Sequence, residues 1–86
     1  MKYLVVMFTS RNDTLTFYNM LKKYNGFYSI INTPHSLSRS CGLSIKIGYN
    51  LASIAIQIAK NNHFSSFKGI FEIDISNPNS TPKNIY

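Results

Sequence analysis

A chain of 86 residues with 44% hydrophobic and 14% aromatic side chains can fill one small core but has no room for a second domain. Its single cysteine excludes an internal disulfide and suits a reducing, cytoplasmic setting, and its three carboxylates leave little material for paired acid/base hydrolysis. The net charge of +6 attracts anions, yet the nine Lys and Arg form no run longer than Lys22-Lys23, so a solvated basic surface is expected rather than a nucleic-acid footprint.

The opening apolar run, Tyr3 to Phe8, ends at Arg11-Asn12-Asp13 without a small-residue cleavage site and predicts a strand covered on both faces rather than a signal peptide. Ser10, Asn12 or Asp13 can cap a helix over 14–24, in which Leu15, Tyr18 and Leu21 recur at helical spacing. Lys22 and Lys23 suit its C-terminal turn and Gly26 ends it. Residues 27–31 are β-branched and aromatic and predict a second strand, closed by the Pro34 loop. After Cys41-Gly42, Leu43, Ile45 and Ile47 alternate with Ser44 and Lys46 in the period of a half-buried strand.

Asn50 is set to cap a second helix whose Leu51, Ile54, Ala55 and Ile58 fall on one stripe. A last strand over 67–75 turns Phe67, Gly69, Phe71, Ile73 and Ile75 to one side and Lys68, Glu72 and Asp74 to the other, with Ile70 as the exception. Residues 76–86 have linker composition and predict a flexible tail to a single domain of residues 1–75. The order βαββαβ predicts an α+β ferredoxin-like plait, a four-stranded antiparallel sheet with two helices on one face. Apolar side chains on both faces of the first strand predict a homodimer through the open sheet face. No apolar helical stretch approaches the roughly 20 residues that cross a bilayer, so no membrane segment is expected.

The chemistry concentrates in the stretch from Asn32 to Gly42. Cys41 lies near Arg39 and His35 in sequence, and cations lower a cysteine pKa from about 8.5 when they are close in space. Ser36, Ser38, Ser40 and the amides near Cys41-Gly42 can donate to an anion, and Gly42 leaves room for another molecule to reach the thiol. Two bland alternatives stay open: Cys41 as a small buried apolar residue, and the serines as ordinary loop solvation. Cys41, His35 and His63 lack metal-ligand spacing, so no metal is expected. No cofactor is expected either, since no phosphate-binding glycine loop is present. A Cys41–His35 hydrolytic pair lacks a third orienting residue, and His63 suits a helix terminus. The third strand carries no stacking aromatic, which further disfavours nucleic acid.

The segment Pro34-His35-Ser36-Leu37-Ser38-Arg39-Ser40-Cys41-Gly42-Leu43 resembles the hallmark loop of a small bacterial family, the selenium/sulfur carrier protein-like family. A weaker resemblance runs from about Tyr3 to Ile75, through Phe8-Thr9-Ser10 and Lys68-Gly69-Ile70-Phe71-Glu72-Ile73. In that family the proline is commonly followed by arginine, and a Ser-x-x-Cys-Gly element carries the reactive cysteine. The resemblance therefore implies Cys41 as the reactive residue, with Ser38 and Gly42 completing the element, while His35 departs from the pattern.

A cytoplasmic carrier is implied, which accepts sulfur or selenium on Cys41 as a persulfide or selenopersulfide and passes it to a partner thiol. Its partner would be a sulfur-carrier domain or a sulfur or selenium donor protein, and its activating loop would comprise Pro34, His35, Ser38, Arg39, Ser40 and Gly42. The reading from another class is a non-catalytic ferredoxin-like interaction module. Its basic surface would bind a protein or nucleic acid while Cys41 merely packs.

Overall fold

The computed structural model describes residues 2–34, 42–76 and 81–86. In chain order these form β1 (Lys2–Phe8), α1 (Arg11–Leu21), β2 (Tyr28–Asn32), β3 (Leu43–Ile47), a 3₁₀ turn (Tyr49–Leu51), α2 (Ala52–Asn61), β4 (Phe67–Asp74) and β5 (Lys83–Asn84). The result is an α+β fold whose strands build one antiparallel sheet in the order β2-β3-β1-β4-β5. β1 runs between β3 and β4 and has no free edge, which is why its apolar run is unbroken: Leu4, Val5 and Val6 are all fully buried.

One core holds the molecule together. Leu4, Val6 and Phe8 of β1 meet Ile45 and Ile47 of β3, Ile70 of β4, Phe17 and Leu21 of α1, and Leu51, Ala55 and Ile58 from the α2 region. Both helices therefore cover the same face of the sheet. The register explains the division, since Val6 lies opposite Ile45 and Ile70, whereas Val5 lies opposite Lys46 and Phe71 on the other face.

Four expectations are corrected. The sheet has five strands rather than four, because Phe71 pairs with Asn84 and Glu72 with Lys83, and the Ile85 N–H donates to the Ile70 carbonyl at 2.9 Å. A two-residue strand directly behind Pro82 has no period to read, and it forms because the edge of β4 offers unpaired backbone groups. The phase of β4 is inverted: Ile70, the expected exception, is the core residue. A register shift at Met7/Phe8 pairs Met7 with Gly69 but Phe8 with Phe67. Lys68 is thus the extra residue of a bulge, and Gly69 beside it takes φ +137°, a backbone conformation that L side chains rarely adopt.

α1 begins at Arg11 because Ser10 is the cap: its Oγ accepts the Asp13 N–H at 3.3 Å, and Thr14 Oγ1 donates to the Ser10 carbonyl at 3.0 Å. Asn50 does not cap α2. It lies inside the 3₁₀ turn, whose N-cap is Gly48, and Leu51 holds the N-cap position of α2.

Candidate functional site

β2 and β3 are joined through the chain that carries Cys41, and their ends near it are pinned. Beyond the Asn32–Leu43 pair, the Thr33 N–H donates to the Gly42 carbonyl at 2.8 Å, one further rung of the ladder. Thr33 Oγ1 and Ser44 Oγ then share a hydrogen bond of 2.7 Å in a buried position. Neither hydroxyl has water to fall back on, so each depends on the other. Of the expected site residues, Pro34 and Gly42 stand at these pinned ends. His35, Ser38, Arg39, Ser40 and Cys41 lie outside the described residues.

Gly42 and Leu43, together with Asn32, form one wall of an open cavity of ≈ 370 Å³; Phe8, Thr9, Ser10 and Arg11 form the other. The second wall is where β1 ends and α1 begins, and Ser66 fixes it. The Thr9 N–H donates to the Ser66 carbonyl at 3.0 Å, and the Ser10 N–H donates to Ser66 Oγ at 3.1 Å. The Asp13 carboxylate in turn accepts from the Ser66 N–H at 3.2 Å and from its Oγ at 2.7 Å. Behind this wall Phe8 packs against Phe17, Phe64 and Phe67, with ring centroids 5.3, 5.4 and 5.6 Å away. The cavity therefore has an aromatic foundation and a polar rim.

Arg11 is the charged group on that rim. It is exposed and is the first residue of α1, where the helix dipole already presents partial positive charge. Each of the three side-chain carboxylates is engaged elsewhere: Asp13 with Ser66, Glu72 with Tyr49 and Lys2, and Asp74 with Ser76. Among the described residues Arg11 thus has no acidic partner. Sequence reasoning passed over Arg11, as it did Thr33, Ser44 and Ser66. The available signal was Ser10 three residues before Asp13, directly after the apolar run, which seats Arg11 at the first helical position.

A second polar cluster lies at the other end of β1. The Tyr49 hydroxyl donates to Glu72 Oε2 at 2.5 Å, and Lys2 Nζ lies 3.6 Å from Glu72 Oε1. Partial desolvation, followed by the hydrogen bond to Glu72, pushes the Tyr49 hydroxyl up to about 12. The Tyr49 hydrogen bond, aided by Lys2, holds the Glu72 carboxyl below its ordinary range. Ser76 does the same for Asp74. This cluster satisfies itself. Among the described residues no three His, Cys, Asp or Glu side chains gather as a metal site, and no helix is long and apolar enough to cross a membrane.

A family model described as "Putative Se/S carrier protein-like" matches residues 2–72, which takes in β1 through most of β4 and includes Cys41 and Gly42. No curated protein and no solved structure matches the chain. With that match covering most of its length, the chain belongs to the Se/S carrier protein-like family.

Proposed function

We propose that the protein is a cytoplasmic sulfur or selenium carrier, with Cys41 as the attachment point and a ferredoxin-like plait, extended by β5, as its scaffold. The observation that carries this reading is the family match over residues 2–72, within which Ser38, Cys41 and Gly42 form the Ser-x-x-Cys-Gly element. The cavity supports it, because Gly42 lines that cavity and Cys41 is the next residue in the chain.

In the loading step the Cys41 thiolate attacks the outer sulfur of a donor persulfide. A new S–S bond forms, the donor's S–S bond breaks, and the electron pair leaves with the donor thiolate. Unloading is the same exchange run toward an acceptor: its thiolate takes the terminal sulfur and Cys41 departs as thiolate. One cysteine is enough for both steps, and neither needs an outside oxidant or reductant. Selenium transfers by the same displacement.

Mass spectrometry after exposure to a persulfide donor is expected to show one added sulfur atom on Cys41 and none on Cys41→Ser. Iodoacetamide alkylation of Cys41 is expected to reach half its plateau rate at a pH below about 8.5, the value of an unassisted thiol. No adduct with any donor, together with a thiol midpoint at or above that value, would replace the carrier with a non-catalytic interaction module in which Cys41 packs.

A further inference from the structure

We propose that the outer edge of β2 is a docking site for an extended acidic segment of a partner protein, which adds to the five-stranded sheet as a further strand beside β2. The proposal is independent of the carrier chemistry, since it concerns how a partner chain is held and not what is transferred.

The backbone supplies the first argument. β2 stands at the end of the strand order and pairs with β3. The Gly48 N–H donates to the Phe27 carbonyl at 3.1 Å and the Thr33 N–H to the Gly42 carbonyl at 2.8 Å, and the bonds of an antiparallel ladder recur at every second residue. They therefore fall on Phe27, Ser29, Ile31 and Thr33, while the N–H and C=O groups of Tyr28, Ile30 and Asn32 point away from β3. Among the described residues only Ser29 Oγ reaches one of these groups, the Ile30 carbonyl, at 3.5 Å. At the other end of the sheet the chain covers the edge of β4 with its own β5. β2 has none of the features that guard an exposed edge: residues 28–32 contain no charge, proline or glycine, and they pair with β3 without a bulge.

The flanks choose the partner. On the helix side Tyr18 of α1 packs against Tyr28 with ring centroids 5.5 Å apart, and Lys22 Nζ stands 5.1 Å from the Tyr18 ring. On the other face of the sheet Lys46, opposite Ser29, holds its Nζ 5.7 Å from the Phe27 ring. At the Asn32 end, exposed Arg11 lines the cavity that Asn32 also lines. No side-chain carboxylate answers these cations: Asp13 is engaged with Ser66, and Glu72 and Asp74 belong to β4, two strands further into the sheet than β3. A second copy paired edge to edge about a twofold axis would set the Tyr28 end, with Lys22, against the Asn32 end, with Arg11, like charge against like. An acidic segment meets cations on both flanks instead, and alternate apolar side chains can pack beside the half-buried Tyr18 and Ile31.

Amide hydrogen exchange followed by NMR tests the inference, with a blocked peptide of alternating Val and Glu as the probe. Saturating peptide is expected to slow exchange at Tyr28, Ile30 and Asn32, whereas Ser29 and Ile31, bonded to β3 throughout, stay as they were. Binding is expected to weaken as salt is raised and to be lost for a peptide of alternating Val and Lys. Asn32→Pro removes an outward N–H that β3 does not use and is expected to weaken binding about tenfold, with the Ser29 and Ile31 amides still protected. Lys22 is exposed, so Lys22→Gln keeps the fold even where Asn32→Pro does not, and it is expected to weaken binding about two- to fivefold. Slow exchange at Tyr28, Ile30 and Asn32 in the free protein at every concentration would overturn the proposal, since the chain would then cover its own edge. Protection that grows with protein concentration alone would overturn it in favour of a second copy. Equal binding of the Val and Lys peptide, or no protection of the three amides by either peptide, would overturn it as well.

Discussion

The two ends of β1 use their polar groups in opposite ways. At the Lys2 end, Tyr49, Glu72 and Lys2 are spent on one another: a hydroxyl donates to a carboxylate that a lysine also flanks. At the Phe8 end, Ser66 consumes Asp13, which leaves Arg11 with no acidic partner among the described residues, on the rim of a cavity built over packed aromatic rings. A strongly shifted tyrosine thus marks a structural clasp, whereas an arginine with no acidic partner among the described residues marks the candidate site. Charge that the fold leaves uncompensated beside a concave surface is the better guide to binding, because self-satisfied clusters also perturb pKa values.

The comparison breaks first if the Phe8 end is not well packed. Phe17 is fully buried against Phe8 and Phe64, so Phe17→Ala is expected to cost about 3–5 kcal/mol in urea unfolding. A loss below about 1 kcal/mol would mean that the rings behind the cavity collapse freely and cannot hold its rim in place.

The pinned ends of β2 and β3 come next. Thr33→Val leaves the buried Ser44 hydroxyl without its partner and is expected to cost about 1–3 kcal/mol. The double variant Thr33→Val, Ser44→Ala removes both hydroxyls and should be less destabilised than the sum of the two single variants. Strict additivity in that cycle would show that the 2.7 Å contact contributes nothing to holding Gly42 beside Thr33.

What could be read in advance follows from which features are local. The alternation of Leu43, Ile45 and Ile47, the double-sided apolarity of β1 and the stripe of Leu51, Ala55 and Ile58 are short-range patterns; Ile45, Ile47, Leu51, Ala55 and Ile58 enter the core, Val5 is buried on the other face of the sheet, and Leu43 stays half-buried at the strand's end. The phase of β4 was not legible, because a bulge at Lys68 adds one residue without altering composition, and every assignment beyond it changes face. β5 is two residues long and depends on the free edge of β4, a fact of tertiary arrangement. Three capping candidates within four positions, Ser10, Asn12 and Asp13, left the start of α1 ambiguous; Ser66, brought beside Asp13 from 53 positions away, settles which of them is free to cap. The same distant serine engages the carboxylate nearest to Arg11 in sequence, so a window along the chain places Arg11 at the helix start but does not show it without an acidic partner. The family was legible in the element around Cys41, while the cavity that Gly42 lines exists only once β1, α1 and β3 have met.

The smallest effect sharpens the other side of the comparison. If the Lys2 end is a clasp, Tyr49→Phe should lower stability slightly at neutral pH, and the deficit should vanish at both extremes. The Glu72 carboxyl is depressed in the folded protein, so its contribution is present above the ordinary carboxylate value of 4.5 and disappears as pH falls through the lower folded value. The Tyr49 hydroxyl is raised, so its contribution is full below 10.0 and disappears as pH rises toward about 12. Both groups are largely solvated, which keeps the deficit small and makes its pH profile the informative quantity. Thermal unfolding of wild type and Tyr49→Phe across that range should give curves that part between the two limits and converge outside them. A constant offset at every pH would mean that Tyr49 acts through ring packing, and that the Lys2 end is no more committed by charge than the Arg11 end.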